Sequence, residues 1–243
     1  MIEVAIVGAK GRMGVQISDA IRRSETSTLA QKIVDDGTFS TDLLVDQGDN
    51  INEISPKNSG GNTDVVVEIT IAGQSQNNVR QLIRNGNRRI VVGTSGWTRD
   101  DIEALRSDTN DVENLKVLIV PNFSISAVLQ EKWALEAAKF FNDASILEYH
   151  HKAKLDKPSG TALRLQDELE TLTGTRPDAL SVRADGFMAT QEVVLTNFGE
   201  RLIIKQDVTS RDAFMPGVLL AIEKIMTDDV DFGVSVGLGS VIK

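Results

Sequence analysis

The sequence predicts an α/β protein, with a doubly wound parallel sheet followed by a smaller α+β domain that holds a mostly antiparallel or mixed open sheet. In the first half, apolar runs that suit buried strands alternate with segments of helical periodicity. From Leu180 onward, strand-like runs follow one another without helices between them. This change of pattern predicts two domains.

The chain begins with a strand, a glycine turn and a helix. The apolar run 3–7 leads into three glycines, and apolar residues then recur at helical spacing. Gly8 permits a tight turn, Gly11 lets the backbone approach a ligand, and Gly14 lets the helix pack on the strand. The GxxGxxG spacing is a variant of GxGxxG and favours a Rossmann-like domain that binds a dinucleotide pyrophosphate. Glycine turns that merely join a strand to a helix give the same pattern, so the motif alone leaves both interpretations open.

Charged residues near this turn bear on the choice of cofactor. A predicted strand, 29–34, ends in Asp35 and Asp36, where an acid accepts hydrogen bonds from the adenosine ribose; a solvated loop acid is the alternative. Lys10 and Arg12 favour a ribose 2′-phosphate instead, because cationic side chains hold phosphate. We therefore expect NADH, NADPH or both.

Further strands and helices complete the first domain. Strands are predicted over 64–71, 89–92 and 115–120, with helices over 74–84 and 100–106. Ligands of such sheets bind beyond the carboxyl ends of the strands. Three of these ends carry polar groups and would surround a nicotinamide: residues 68–70, 93–96 and 121–124.

The second domain begins with a predicted amphipathic helix over 125–141, which contains Trp133, and a short strand over 144–147. The stretch 148–162 follows and holds the only two histidines of the chain, His150 and His151, beside three lysines. Ser159 is expected to cap a helix over 162–172. A helix N-terminus with Lys154 and the Thr161 hydroxyl beside it predicts a site for a carboxylate or phosphate.

Predicted strands over 180–183, 191–196 and 201–207 form a meander, and a helix over 213–226 follows. We place the dinucleotide-binding domain at residues 1–123 and 211–243, and a substrate-binding and oligomerisation domain at residues 124–210. The apolar face of an open sheet has to be covered, and pairing of subunits is one solution, so we expect a homo-oligomer.

Composition excludes several classes of protein. The absence of cysteine excludes disulfides and thiolate sites, and two adjacent histidines without nearby acidic ligands make a poor metal site, so no metal is expected. A formal net charge of −9 argues against nucleic-acid binding. Neither a membrane-spanning run nor a signal sequence is evident, and we expect the protein in the cytoplasm.

Residues 148–162 match the E-x-H-H-x-x-K-x-D-x-P-S-G-T-A signature of the 4-hydroxy-tetrahydrodipicolinate reductase (dihydrodipicolinate reductase) family, which the chain resembles over nearly its full length. Supporting matches lie at residues 8–14, 93–96, 121–124, 198–201 and 210–211. The resemblance implies NADH- or NADPH-dependent reduction of a cyclic imine dicarboxylate to tetrahydrodipicolinate, in the diaminopimelate and lysine pathway. It also implies a homotetramer joined through the C-terminal sheet, and a hinge that closes the cofactor domain on the substrate domain.

Site residues are carried over by position. The resemblance implies that His150 is the general acid with Lys154 as its partner, and that substrate carboxylates are bound by His151, Lys154, Ser159, Gly160 and Thr161. The motifs together predict these cofactor-binding residues: Gly8, Lys10, Gly11, Arg12, Met13, Gly14, Asp35, Thr70, Gly93, Thr94, Ser95, Pro121, Asn122 and Phe123.

The residue chemistry agrees with these roles. Hydride delivered to a conjugated imine pushes electrons toward nitrogen, so a proton donor is needed near the ring. A histidine, with an ordinary pKa of about 6.5, suits that task near neutral pH. His150 would supply the proton, and a dianionic substrate explains local positive charge on an acidic protein.

The chain departs from the family pattern at three places. Gln191 and the pair Lys205–Gln206 stand where the family usually has histidines, and residues 71–73 lack the usual proline. These changes bear on cofactor preference and on substrate contacts. Two alternatives stay open at this point: a non-catalytic nucleotide-sensing module, and another two-domain dehydrogenase of an amino acid or hydroxy acid.

Overall fold

The computed structural model describes residues 1–33, 39–42, 44–45, 50–57, 61 and 63–242, and between residues 31 and 45 it describes the backbone alone. The chain forms two compact units, one of Met1–Phe123 with Phe214–Lys243 and one of Ser124–Ala213. The predicted division at 123/124 and 210/211 is similar, and the roles given to the two domains stay predictions.

The first unit is built on a parallel sheet, as predicted. Its strands are β1 (Ile2–Val7), β2 (Ser27–Leu29), β5 (Leu44–Val45), β6 (Val65–Glu68), β7 (Arg89–Val92), β8 (Lys116–Ile119) and β13 (Gly233–Val236). The order is β13-β8-β7-β6-β1-β2, and β5 also pairs with β1. Two further strands, β3 (Gln31–Ile33) and β4 (Phe39–Asp42), form a separate antiparallel pair. The chain runs outward from β1 in both directions, which places the topological switch point of the sheet beside β1.

Helices cover this sheet. They are α1 (Arg12–Arg22), α2 (Ser75–Arg84), α3 (Arg99–Asp108) and α6 (Met215–Ile225). All four residues of β6 are buried, as expected for a parallel strand that is covered on both faces. Val79 of α2 and Leu105 of α3 belong to one core cluster with Val66 and Val117, and α1 packs against α6. Each fully buried aliphatic side chain of this core contributes about 1.5–3 kcal/mol.

Two predicted strands of this unit differ from the structure. The strand over 29–34 is interrupted, since β2 ends at Leu29 and β3 begins at Gln31. Asp35 and Asp36 lie outside the described residues. The strand over 64–71 ends at Glu68, because the chain then turns into α2.

The second unit holds a mixed open sheet under two helices, as predicted. Its elements are α4 (Ile125–Ala138), β9 (Asp143–His150), α5 (Gly160–Thr173), β10 (Asp178–Arg183), β11 (Ala189–Asn197) and β12 (Glu200–Val208). The sheet order is β10-β9-β11-β12. The expected meander is wrong for β10, which pairs in parallel with β9 because α5 forms a crossover between them. The other two pairs are antiparallel.

Helices α4 and α5 cover one face of this sheet. Ile146, Val193 and Leu165 are fully buried there in one core cluster. The helix predicted to reach residue 141 ends at Ala138, where a tight turn bonds the Phe140 N–H to the Ala137 carbonyl.

The opposite face of the sheet leaves apolar side chains exposed. Leu180 and Ile203 are 59% and 47% exposed, and the Tyr149 ring stacks on Phe187 at a centroid distance of 5.2 Å. Within the described residues, no helix is long and apolar enough to cross a membrane.

Candidate active site

The glycine turn after β1 needs its glycines for steric reasons. Gly8 has a φ of +92°, and a Cβ there would lie 2.4 Å from the Ile69 carbonyl oxygen. A Cβ at Gly14 would lie 2.2 Å from the Gly8 carbonyl oxygen. Both distances are too short for a residue with a side chain. The two glycines therefore allow the first helix to lie close to the strands. This close approach is the role expected of Gly8 and Gly14 in a dinucleotide-binding turn.

The N-terminus of α1 is suited to an anion. Side chains cap the N-termini of α3, α4 and α5, where Thr98, Ser124 and Ser159 accept hydrogen bonds from backbone N–H groups. The N-cap of α1 is Gly11, which has no side chain to do this, and the first turn carries no acidic residue. A pyrophosphate would satisfy the backbone N–H groups and would be favoured by the helix dipole. The turn therefore fits the phosphates of a dinucleotide.

The side chains around this turn are mostly exposed. Lys10 and Arg12 are exposed, and Met13 is half-buried. Both cations are thus placed on the solvent side of the turn, where a ribose phosphate could reach them.

The carboxyl ends of β6, β7 and β8 meet at one edge of the sheet. A Cβ at Gly93 would lie 2.6 Å from the Phe123 ring and 2.7 Å from the Ile69 side chain. The predicted contacts thus lie on adjoining segments. Ser95 and Pro121 are exposed, Thr70 and Asn122 are half-buried, and Thr94 is buried.

Glu68, the last residue of β6, belongs to one of the three strand ends expected to surround a nicotinamide, but no task of its own was predicted for its carboxylate. Its side chain is fully buried and accepts hydrogen bonds from four side chains. One of them is the Thr94 hydroxyl, at 2.9 Å, so this side chain points into the protein and a ligand contact of Thr94 would come from its backbone.

In the second unit, the stretch 148–162, which holds both histidines, begins at the end of β9, as predicted. Glu148 is fully buried beneath it. It accepts hydrogen bonds from the Ser159 N–H at 3.1 Å, the Ser181 hydroxyl at 2.6 Å and the Arg183 guanidinium at 2.7 Å. Burial alone would raise the pKa of Glu148, but these hydrogen bonds and the nearby His150 hold it below its ordinary value.

His150 ends β9, and its side chain is only 15% exposed. Its Nδ1 lies 3.4 Å from Oε2 of Glu148, and neither atom forms a hydrogen bond with any residue that the structure describes. Burial lowers the pKa of His150, and the positive charges of Lys154 and Arg183 lower it further despite the Glu148 carboxylate. The imidazole therefore favours its neutral form more strongly than the ordinary histidine that was assumed from the sequence.

Lys154 and the start of α5 lie near this histidine. The Lys154 ammonium is 2.9 Å from Oδ1 of Asp156. Burial opposes ionisation of Asp156, but Lys154 and a hydrogen bond from the Gly160 backbone lower its pKa. Ser159 caps α5, as predicted, by accepting from the Ala162 N–H.

The mouth of α5 is open. A Cβ at Gly160 would meet no atom within 4 Å, Thr161 is half-buried, and His151 is exposed. The structure thus brings His150, Lys154 and the α5 N-terminus together, with the Asp156 carboxylate beside Lys154.

Two residues of this site were missed from the sequence. Ser181 and Arg183 lie on β10, where they pair in register with Glu148 and His150. A prediction that β9 and β10 pair in parallel would have placed both residues beside Glu148 and His150. The one sequence signal for that pairing was the helix between the two strands, since parallel neighbours need a crossover connection.

Two of the positions that depart from the family pattern, Gln191 and Gln206, are buried, whereas residues 71–73 are exposed. Gln191 is buried opposite Glu148 in the β9–β11 pairing, and it bonds to Gln130 of α4. Lys205 forms an ion pair with Glu192 at 2.7 Å, and Gln206 is buried.

Comparison with known families covers almost the whole chain. Residues 2–123 match the family described as dihydrodipicolinate reductase, N-terminus, and residues 126–235 match dihydrodipicolinate reductase, C-terminus. A 4-hydroxy-tetrahydrodipicolinate reductase of Bifidobacterium animalis subsp. lactis is 39% identical over 98% of both chains. One from Corynebacterium urealyticum is 34% identical over 98% of this chain and 97% of its own.

Solved structures with a similar fold include a member of the same family. A dipicolinate-bound dihydrodipicolinate reductase from Paenisporosarcina sp. TG-14 superposes with a TM-score of 0.79 at 25% identity, over 100% of both chains. An aspartate dehydrogenase from Thermotoga maritima gives a TM-score of 0.50 at 12% identity, over 96% of this chain and 100% of its own, which shows a shared fold alone. On the sequence matches over both halves, the chain belongs to the dihydrodipicolinate reductase family.

Proposed function

We propose that the chain catalyses the NAD(P)H-dependent reduction of 4-hydroxy-tetrahydrodipicolinate to tetrahydrodipicolinate, in which the 4-hydroxyl group is lost as water and a hydride and a proton are added to the ring. Members of its family are NAD(P)H-dependent oxidoreductases. The observation that supports the proposal is the cluster of His150, Lys154 and the α5 N-terminus, which would join a proton donor to groups that bind carboxylates. The glycine turn of the first unit would hold the phosphates of a dinucleotide.

The cofactor supplies a hydride to the ring of the substrate. In the first unit, the N-terminus of α1 would hold its pyrophosphate, and Lys10 and Arg12 would contact a 2′-phosphate. The ends of β6, β7 and β8 would hold its nicotinamide half, because ligands of such sheets bind beyond the strand ends.

In the second unit, Lys154 and the N–H groups of Gly160 and Thr161 would bind a substrate carboxylate, and His151 and Ser159 would bind beside them. His150 would donate a proton to the ring as electrons move toward the conjugated nitrogen. Its pKa is lowered in the free protein. A bound dianion opposes this shift, because negative charge near the imidazole favours the protonated form. Substrate binding would therefore charge the acid that the reaction needs.

We further propose a homotetramer joined through the open face of the second sheet. The exposed Leu180, Val182 and Ile203 lie on that face. Together they form an apolar surface of the kind that subunit pairing covers. Sedimentation equilibrium tests this directly, and a single monomeric species at micromolar concentration would contradict it. The cytoplasm is the proposed location, where the reduced dinucleotide is available.

The test of function uses purified protein with substrate made fresh by the preceding synthase. Oxidation of NADH or NADPH, followed at 340 nm, is expected only when the synthase and its substrates are present. Cofactor binding by calorimetry without any turnover would favour the nucleotide-sensing alternative. Turnover with a saturated amino acid or hydroxy acid would favour the other dehydrogenases.

The proposed acid has its own test. His150→Gln should lower kcat by roughly 10²- to 10⁴-fold, the usual share of a general acid, with a smaller change in KM. Lys152→Gln is the matched control, since Lys152 is exposed and pairs with the exposed Asp185. An unchanged kcat in His150→Gln would reject this residue as the donor.

A further inference from the structure

Glu68 is a buried acid to which the proposed reaction assigns no task. It ends β6 with a fully buried side chain, and within the described part of the chain it pairs with no cation. A carboxylate only accepts hydrogen bonds, so it has to be met by donors when it is buried. Four side chains provide them.

The donors come from three segments. One carboxylate oxygen accepts from the Thr70 hydroxyl and from the Asn78 amide, the latter at 3.2 Å. The other accepts from the Ser75 hydroxyl and from the Thr94 hydroxyl, the latter at 2.9 Å. Ser75 and Asn78 belong to the start of α2, Thr70 precedes it, and Thr94 follows β7. One side chain thus ties the loop after β6 to the loop after β7.

Two other bonds strengthen this connection. The Trp97 indole N–H donates to the Ser75 hydroxyl at 3.0 Å, so the loop after β7 is held at a second point. The Gly93 N–H donates to the backbone carbonyl of Glu68 at 2.8 Å. The shape of residues 93–97 therefore depends on Glu68 through both its backbone and its side chain.

The position of this network relative to a dinucleotide follows from the strand order. In such sheets the phosphates lie at the first strand–helix turn and the adenosine half lies toward the second strand. Here β2 lies on one side of β1, and β6 and β7 lie on the other. The nicotinamide half of a bound cofactor would then lie over β6 and β7, above the Glu68 network.

We propose that Glu68 is a positioning residue for the nicotinamide half of the cofactor. It holds Thr70 and the 93–97 loop in the arrangement that receives this half, and it fixes the direction of two hydroxyl groups. The protons of Thr70 and Thr94 point to the carboxylate, and the Thr70 oxygen also accepts from the Asn78 amide at 3.3 Å, so towards any further group the Thr70 hydroxyl can only accept. This inference rests on the proposed use of NADH or NADPH.

Glu68→Gln isolates this role, because glutamine keeps the size but replaces one acceptor by an N–H donor. That donor would face protons of the hydroxyl or amide groups that now donate to Glu68, so these groups have to reorient and the connection between the two loops weakens. We expect the Kd for NADH, from fluorescence titration, to rise about tenfold or more. The Kd for ADP-ribose, which lacks the nicotinamide, should change less than about twofold, because the glycine turn is untouched. Glu103→Gln, at an exposed position on α3 of the same unit, is the control and should change neither.

A second series applies if Glu68→Gln does not fold. Thr94→Val removes a hydroxyl that contacts Glu68 at nearly constant volume, and should also weaken NADH selectively, whereas Thr94→Ser should restore the affinity. Equal weakening of NADH and ADP-ribose by Glu68→Gln or Thr94→Val would show a general loss of structure and overturn the inference, as would no change in either. Wild-type protein that binds neither NADH nor NADPH would instead refute the proposed function.

Discussion

The ammonium group of Lys154 lies 2.9 Å from a carboxylate oxygen of Asp156, only two residues along the chain. The Gly160 backbone donates to the same carboxylate. Two groups expected to hold the substrate therefore hold an anion of the protein itself. A substrate carboxylate has to compete with Asp156 for both of them.

Asp156→Asn should strengthen dicarboxylate binding. The change removes one negative charge and weakens the competitor, and we expect the Kd for pyridine-2,6-dicarboxylate to fall severalfold, or by about 1 kcal/mol. Calorimetry in the presence of cofactor measures it, and the gain should shrink as salt is added. Asp185→Asn is the matched control, because Asp185 pairs with the exposed Lys152. Weaker binding in Asp156→Asn would show that Asp156 positions Lys154 rather than competing for it.

The pH dependence should report the lowered pKa of His150. A general acid works in its protonated form, so kcat/KM should be highest at low pH and fall as pH rises through the pKa of the free protein, below 6.5. In the pH profile of kcat, the fall should occur at higher pH, because the bound dianion is expected to raise the pKa of His150. Profiles of both constants between pH 5 and 9 test this, over the range in which the protein stays folded. Coincident limbs would argue against coupling between the substrate and His150.

Glu148→Gln should destabilise the second unit. The amide keeps the shape but leaves the Arg183 guanidinium, only 6% exposed, without its counter-charge. Breaking a buried pair on one side costs several kcal/mol, and we expect the free energy of unfolding to drop by about 2–4 kcal/mol in urea titrations. Glu136→Gln is the control, because its pair with Lys139 is exposed and contributes little.

Glu148→Gln should also lower the pKa of His150 further, since the Glu148 carboxylate raises it. The high-pH limb of kcat/KM should then shift to lower pH. A limb that stays in place would show that the two groups are not coupled.

Gly14→Ala should destabilise the first unit, because the new methyl group would press on the Gly8 carbonyl oxygen. Overpacking of this kind costs about 1–3 kcal/mol. Gly160→Ala is a matched glycine replacement, at a helix start with open space around it. Urea titration of both variants should show a loss of stability in Gly14→Ala alone.

Arg12→Ala should weaken the use of NADPH more than the use of NADH. Arg12 is exposed beside the N-terminus of α1, where a 2′-phosphate could pair with it. We expect the KM for NADPH to rise about tenfold and the KM for NADH to change little. Arg22→Ala, at the other end of the same helix, is the control. Equal effects on both cofactors would place Arg12 at the pyrophosphate instead.

The features that the sequence predicted well depend on local signals. The glycines of the first turn, the Ser159 cap and the strand end at His150 each follow from residues within one short stretch. The parallel sheet followed from Val/Ile runs that alternate with helices, because strands covered on both faces have no polar side.

The features that were missed depend on distant pairings. Arg183 reaches Glu148 only because β10 pairs in parallel with β9, whereas the sequence suggested a meander. The donors to Glu68 come from residues 70, 75, 78 and 94, on separate segments, and no periodic pattern connects them. The lowered pKa of His150 likewise depends on burial, which a single sequence does not show.

The first unit is assembled from both ends of the chain, since β13 pairs with β8 and α6 packs against α1. On the ribosome, residues 1–123 emerge well before the segment that completes their sheet. The edge of β8 is then left without its neighbouring strand while the second unit is being made. An unpaired strand edge of this kind can pair with strands of other chains and cause aggregation. The second unit, whose residues are continuous in sequence, can therefore finish folding before the unit that precedes it in synthesis.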